Sequence, residues 1–207
     1  MNKPNIILLG AGGHAHSCID VLEQHDQFRI AGLIGMPGEV GTKHLGYTVI
    51  ASDKDLPQLS KEYQYAFITV GQIQSAENRI HLYQHGTELG FNFPHIISPF
   101  AHVSRHATIG AGTIVMHGAI VNAGASVGIN CIINSQALVE HDAIVEKHCH
   151  ISTGVILNGN VKIGSGSFVG SGSIIKEGVI LGEGCTIGMG LSVRHKQLAY
   201  AKFVGKA

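Results

Sequence analysis

The chain has 207 residues, with 14 basic and 14 acidic side chains, 14 histidines and no tryptophan. Balanced charge offers no basic surface for nucleic acid, and the apolar runs are too short to span a membrane, so neither partner is expected. No secretory pattern is present, and four cysteines without CxxC or other metal spacing read as small buried hydrophobes in a reducing cytoplasm.

Residues 5–9 form a short apolar run, predicting a strand. GAGGHA follows, then a helical stretch through Glu23. Further strands are predicted at 28–34 and 66–70, and a second helix at about 75–89. Alternating strands and helices predict a small Rossmann-like parallel sheet over residues 1–95. Gly10, Gly12 and Ala15 give the GxGxxA form of a glycine loop between strand and helix, where anions bind at the helix end. The second strand ends without the acid that would hold an NAD ribose, so a nucleoside diphosphate fits better than a dinucleotide. A plain tight turn is the competing reading.

From Ile97 to Val193 every sixth residue is Ile, Val or Leu, without exception. A helix cannot hold that phase, because its turn has 3.6 residues. A short strand and a corner can. Three such strands per coil predict a parallel β-helix of hexapeptide repeats over residues 96–207, with coils stacked roughly 4.8 Å apart. Positions three hexads apart then lie one above the other. Cys131, Cys149 and Cys185 share one phase with Ala, Ser, Thr and Val, as buried corner residues would.

Most hexads place Gly or Asn three places after the aliphatic position, where the backbone turns. Gln136, Asp142 and His148 break that rule in succession, although Phe100 and His106 break it earlier as well. Three lapses together suggest positions kept for another purpose; drift is the alternative. VEHD lies here. His141 is a candidate general base, with Asp142 or Glu140 as the carboxylate that fixes its tautomer. Gly159, one coil further on, is either an oxyanion donor through its N–H or another turn glycine. His150 lies half a coil from His141. If both serve one site they come from different chains, which predicts a homotrimer with inter-subunit sites.

These features together resemble the hexapeptide-repeat nucleotide-sugar acetyltransferases. The likeness is to the UDP-4-amino-sugar N-acetyltransferases of bacillosamine synthesis and to the sialic acid O-acetyltransferases. It covers the GAGGHA half, the uninterrupted hexads, and VEHD with a histidine half a coil on, at His150. The resemblance implies a left-handed β-helix, a trimer, acetyl-CoA as co-substrate and no metal. His141 matches the general base, Asp142 the acid beside it, and Gly159 a backbone amide near the thioester. His150, Ser171 and Met189 match positions touching the coenzyme. Gly12, Gly13 and His14 match the loop holding the sugar-nucleotide phosphates, and Gly71 another nucleotide-site position. Relatives carry aspartates after the second strand. Here LIGMPGE puts Gly35 and Met36 in their place, and the C-terminal FVGKA also departs from the usual ending.

The implied activity is acetyl transfer to the amine of a nucleotide sugar in the cytoplasm. The implied substrate is UDP-4-amino-4,6-dideoxy-N-acetylglucosamine, giving UDP-N,N'-diacetylbacillosamine for glycan assembly. The alternatives are O-acetylation of the sialic acid type, a zinc enzyme resembling γ-class carbonic anhydrases through His117, His148 and His150, and a non-catalytic scaffold.

Overall fold

In the computed structural model, which describes residues 3–205, the chain groups into two units. One is the chain as far as Gly71 together with Glu77–Ile96. The other is Gln72–Ala76 and the chain from Ile97 on. Gln72–Ala76 thus groups with the second unit although it lies within the first in sequence.

The first unit is built on β1 (Asn5–Leu9), whose residues Ile6 to Leu9 are all at 0% exposure. A strand covered on both faces has no need of alternation, which is why it reads as a continuous apolar run. Next come α1 (Gly13–His25), β2 (Arg29–Gly35), β3 (Lys43–His44), β4 (Tyr47–Ser52), α2 (Leu56–Leu59), β5 (Tyr65–Ile68) and α3 (Glu77–Glu88). The sheet order is β3-β4-β2-β1-β5. Its pairs are parallel except β3 with β4, an antiparallel hairpin at the edge. That hairpin and α2 were not predicted. Gly10 follows β1 with φ +123°, and a Cβ there would lie 2.7 Å from Val70 Cγ2, so both conformation and space demand glycine.

In the second unit each hexad is a two-residue strand and a corner. The strands form three faces of a left-handed parallel β-helix, each pairing in register with the strand one coil away, as in Ile120↔Leu138 and Ser126↔Ile144. The first face includes Ile120–Val121, Leu138–Val139, Ile156–Leu157 and Ile174–Ile175. The second includes Ser126–Val127, Ile144–Val145 and Lys162–Ile163. The third includes Ile132–Ile133, His150–Ile151 and Phe168–Val169. The repeated aliphatic residues and the small corner residues, Cys131, Cys149 and Cys185 among them, fill the interior. All four cysteines are buried thiols. Lys202–Phe203 pairs in parallel with Thr186–Ile187, so the altered tail still covers part of the last coil.

The corner rule has a direct cause. The residue three places after the aliphatic position takes a left-handed conformation at most corners, with Gly124 at φ +76°, Gly154 at +65° and Asn160 at +57°. Gln136 (+58°), Asp142 (+60°) and His148 (+59°) adopt it despite their side chains.

Candidate active site

The left-handed turn at Asp142 brings two neighbouring side chains together that a straight strand would point apart. His141 Nδ1 and Asp142 Oδ2 are 2.9 Å apart. Asp142 is therefore the ring partner. Glu140 is engaged elsewhere: its Oε2 accepts the Asn122 amide at 2.9 Å and the His141 backbone N–H at 3.2 Å. A carboxylate accepts from the ring, so Nδ1 carries the proton and Nε2 the lone pair. The Asp142 hydrogen bond raises the His141 pKa above its ordinary 6.5, opposed by desolvation and helped by the charges of Asp142, Glu140 and Glu177. The ring is open to solvent, with its side chain 56% exposed.

One coil above lies Gly159. A Cβ there would sit 2.7 Å from both Cε1 and Nε2 of His141, so the imidazole rests against glycine backbone and a larger residue would push the ring aside. Gly159 is itself buried. In that corner the N–H groups of Asn158, Asn160, Val161 and Lys162 all donate to backbone carbonyls, while among the described residues the Gly159 N–H donates to none of them.

His150 lies on the third face, and the whole second face separates its strand from the His141 corner. It is 6% exposed, with its ring edge-on to Phe168. Nδ1 is 2.6 Å from the Gln72 carbonyl, which can only accept, and Nε2 is 3.2 Å from Asn134 Nδ2. Asn134 Oδ1 takes the Ser135 N–H, so its NH₂ faces the ring. Both contacts agree on a neutral imidazole protonated at Nδ1. Gln72 also donates from its side chain to the Gly166 carbonyl at 3.1 Å. Neither Gln72 nor Asn134 was marked by the sequence. Gln72 precedes the first hexad, so nothing in the repeat pattern points to its contact with His150.

Ser171 and Met189 stack at the corner leaving the third face, a different edge from His141 and Gly159. Ser171 bonds to Ser152 at 2.9 Å, and Met189 is 80% exposed. On the first face, between the two edges, a cleft of about 540 Å³ is lined by Asn158, Ile174, Lys176, Glu177, Ser192 and Arg194. It begins beside Gly159 and carries two cations, one coil apart.

In the first unit, Gly12 caps α1 and Gly13 begins it, and a Cβ on either would meet nothing within 4 Å. The loop backbone is thus open to an anion at the helix end. His14 is half-buried beside Gly71, where a Cβ would lie 3.5 Å from the His14 Cβ. Arg79 donates to the Val70 carbonyl at 2.5 Å and Thr69 to the Gly10 carbonyl at 2.6 Å, which pins the loops on either side. Gly35 ends β2 and Met36 follows it. The turn Pro37–Glu39 folds back, so that Glu39 Oε2 takes the Met36 N–H at 2.7 Å and would lie 2.7 Å from a Cβ on Gly35. Glu39 thus places a carboxylate beside Gly35 and Met36, in a stretch with no acid at 35 or 36.

Within one chain His117, His148 and His150 do not converge, and the zinc alternative would need them to meet across a subunit boundary. His117 pairs with Ser98, His148 with Asn130 and His150 with Gln72. Among the described residues no group of three His, Cys, Asp or Glu side chains is placed to share a metal.

Comparison with known proteins agrees in both halves. Residues 5–83 match the PglD N-terminal domain, and residues 160–194 the hexapeptide repeat of succinyl-transferase. No curated protein sequence matches. Among solved structures, one similar to this chain is perosamine N-acetyltransferase from Caulobacter crescentus in complex with CoA and GDP-perosamine, in a variant with asparagine replacing a histidine. It is 27% identical, with a TM-score of 0.91 over 99% of this chain and 95% of that one. A variant with alanine replacing the histidine is equally similar. The acetyltransferase domain of PglB from Neisseria gonorrhoeae FA1090, in complex with acetyl coenzyme A, is 28% identical. Its TM-score is 0.89, over 99% of this chain and 97% of that one. The resemblance to hexapeptide-repeat nucleotide-sugar acetyltransferases therefore holds along the whole chain.

Proposed function

We propose that this chain is an acetyl-CoA-dependent N-acetyltransferase acting on the amine of a nucleotide-activated amino sugar. The observation that carries the reading is the His141–Asp142 pair with its basic nitrogen against Gly159, in a chain alike end to end to a perosamine N-acetyltransferase and to the acetyltransferase domain of PglB. The sugar amine attacks the thioester carbonyl, and His141 Nε2 takes the amine proton. Asp142 steadies the imidazolium through Nδ1–H, and the Gly159 N–H meets the oxyanion. Collapse of the intermediate breaks the C–S bond, forms the amide and releases the coenzyme thiol, to which His141 returns the proton. The open glycine loop at Gly12, Gly13 and His14 takes the diphosphate. Gly71 and the β2 end, with Gly35, Met36 and the Glu39 carboxylate, take the nucleoside.

The preferred acceptor is UDP-4-amino-4,6-dideoxy-N-acetylglucosamine, giving UDP-N,N'-diacetylbacillosamine. The resemblance of GAGGHA, the uninterrupted hexads and VEHD to the bacillosamine-pathway enzymes is the ground for it. A GDP-activated 4-amino sugar is the second reading, favoured by the likeness to the perosamine enzyme. A trimer is proposed because His141, His150, and the Ser171–Met189 edge occupy separate sides of one prism. Outward Ile120 and Ile174 on the first face, at 39% and 42% exposure, offer apolar surface for a neighbour. His150, Ser171 and Met189 of a second chain would then line the coenzyme cleft. Among the described residues no helix is long and apolar enough to cross a membrane.

Incubation with acetyl-CoA and a panel of UDP-, GDP- and dTDP-4-amino sugars, following free thiol, tests the reading. Thiol release should require one of these amines. Release only with hydroxyl acceptors would instead support O-acetylation, and no release with any acceptor would end the proposal.

A further inference from the structure

Asp142 is held from below as well as from the side. Gly124 lies one coil beneath it, and the Asp142 N–H donates to the Ala123 carbonyl at 3.2 Å. A Cβ built on Gly124 would overlap Asp142 Oδ1 and lie 3.3 Å from its Cγ. Real Cβ atoms do not approach an oxygen so closely, so a side chain at 124 displaces the carboxylate from the place it now holds. Other corner glycines differ. Gly154 and Gly178, at φ +65° and +70°, would meet nothing within 4 Å. Glycine there answers only the left-handed backbone, and Asn130 and Asn160 show that asparagine answers it too. At Gly124 asparagine would satisfy the backbone and still collide with the carboxylate.

We propose that Gly124 is a positioning residue of the acyl-transfer site: its missing side chain forms the floor on which the Asp142 carboxylate lies while it holds His141. The dyad is thus seated between two glycines, Gly124 under Asp142 and Gly159 over His141, each one coil from the side chain it accommodates. A side chain at 124 pushes the carboxylate off its seat, and His141 Nδ1 loses its acceptor. Glu140 does not replace it, because Asn122 and the His141 backbone N–H already hold that carboxylate. Glu177, the remaining acid whose charge reaches the ring, acts on it through charge alone.

This inference rests on the proposed acetyl transfer for its kinetic arm only; its spectroscopic arm stands alone. The test compares Gly124→Ala and Gly124→Asn with Gly154→Ala in the full-length protein. The His141 ring protons are followed by NMR against pH, and turnover is measured with acetyl-CoA and the accepted amine. Both Gly124 variants should bring the His141 titration down toward that of an ordinary histidine and cut kcat by about tenfold or more, with KM for acetyl-CoA within about twofold. Gly154→Ala should leave the His141 titration in place. In an Asp142→Ala background, Gly124→Asn should add almost nothing, because the group it displaces is already gone. An unmoved His141 titration in Gly124→Asn, or an equal shift in Gly154→Ala, overturns the assignment. If His141 titrates as expected while no amine is acetylated, the seat stands and the proposed reaction falls.

Discussion

As the proposed base, His141 meets two demands that pull against each other. A base must be strong enough to take the amine proton, yet unprotonated when the amine arrives. The Asp142 hydrogen bond raises its pKa above 6.5, which strengthens the base and enlarges the protonated, inactive fraction near neutrality. The acid limb of kcat/KM should therefore lie above the ordinary histidine range. Activity rises as pH climbs through it, because the proton must leave Nε2 first. Asp142→Asn removes the carboxylate and should move that limb to lower pH while lowering the plateau, as a pH–rate profile would record. Asparagine suits φ +60° better than aspartate, and the pair it breaks is exposed, so thermal stability should hold or rise while activity falls. His141→Ala should lower kcat by about 10²–10⁴-fold with oligomeric size by light scattering unchanged.

At the scale of the corner and the turn, the sequence is legible where a repeat enforces register and obscure where a single turn acts alone. A step of one coil upward places Gly159 against His141, and the same step taken downward from Asp142 reaches Gly124. The β3–β4 hairpin escapes notice because its turn is Leu45–Gly46, with Leu45 at φ +48°; leucine is not a residue that announces a left-handed turn. Glu39 escapes for a related reason. Pro37 and Gly38 signal a turn, but not that it folds the carboxylate back onto the Met36 N–H. Glu39→Gln should consequently raise KM for the nucleotide sugar several-fold and leave KM for acetyl-CoA unchanged in steady-state kinetics. Gln136 tests the corner rule without touching the dyad. It is exposed at φ +58°, so Gln136→Gly should stabilise the chain by about 1 kcal/mol, read as a higher urea midpoint at constant m-value.

For the whole molecule, the question is why one prism carries its chemistry on separate edges. A monomer that held base and coenzyme together would need them at one corner, yet His141 follows the first face and His150 sits on the third. Stacking fixes each residue to its side, so no side-chain motion brings the two together within one chain. In the proposed trimer, contact between copies does. The proposed trimer then predicts complementation between two damaged chains. His141→Ala and His150→Gln should each be nearly inactive alone. Refolded together from an equal mixture, they form sites whose two histidines come from different chains, and about a quarter of those sites combine an intact His141 with an intact His150. Activity of the mixture should rise to that fraction of wild type. If both histidines of a site belonged to one chain, mixing would restore nothing, because every chain in the mixture lacks one of them.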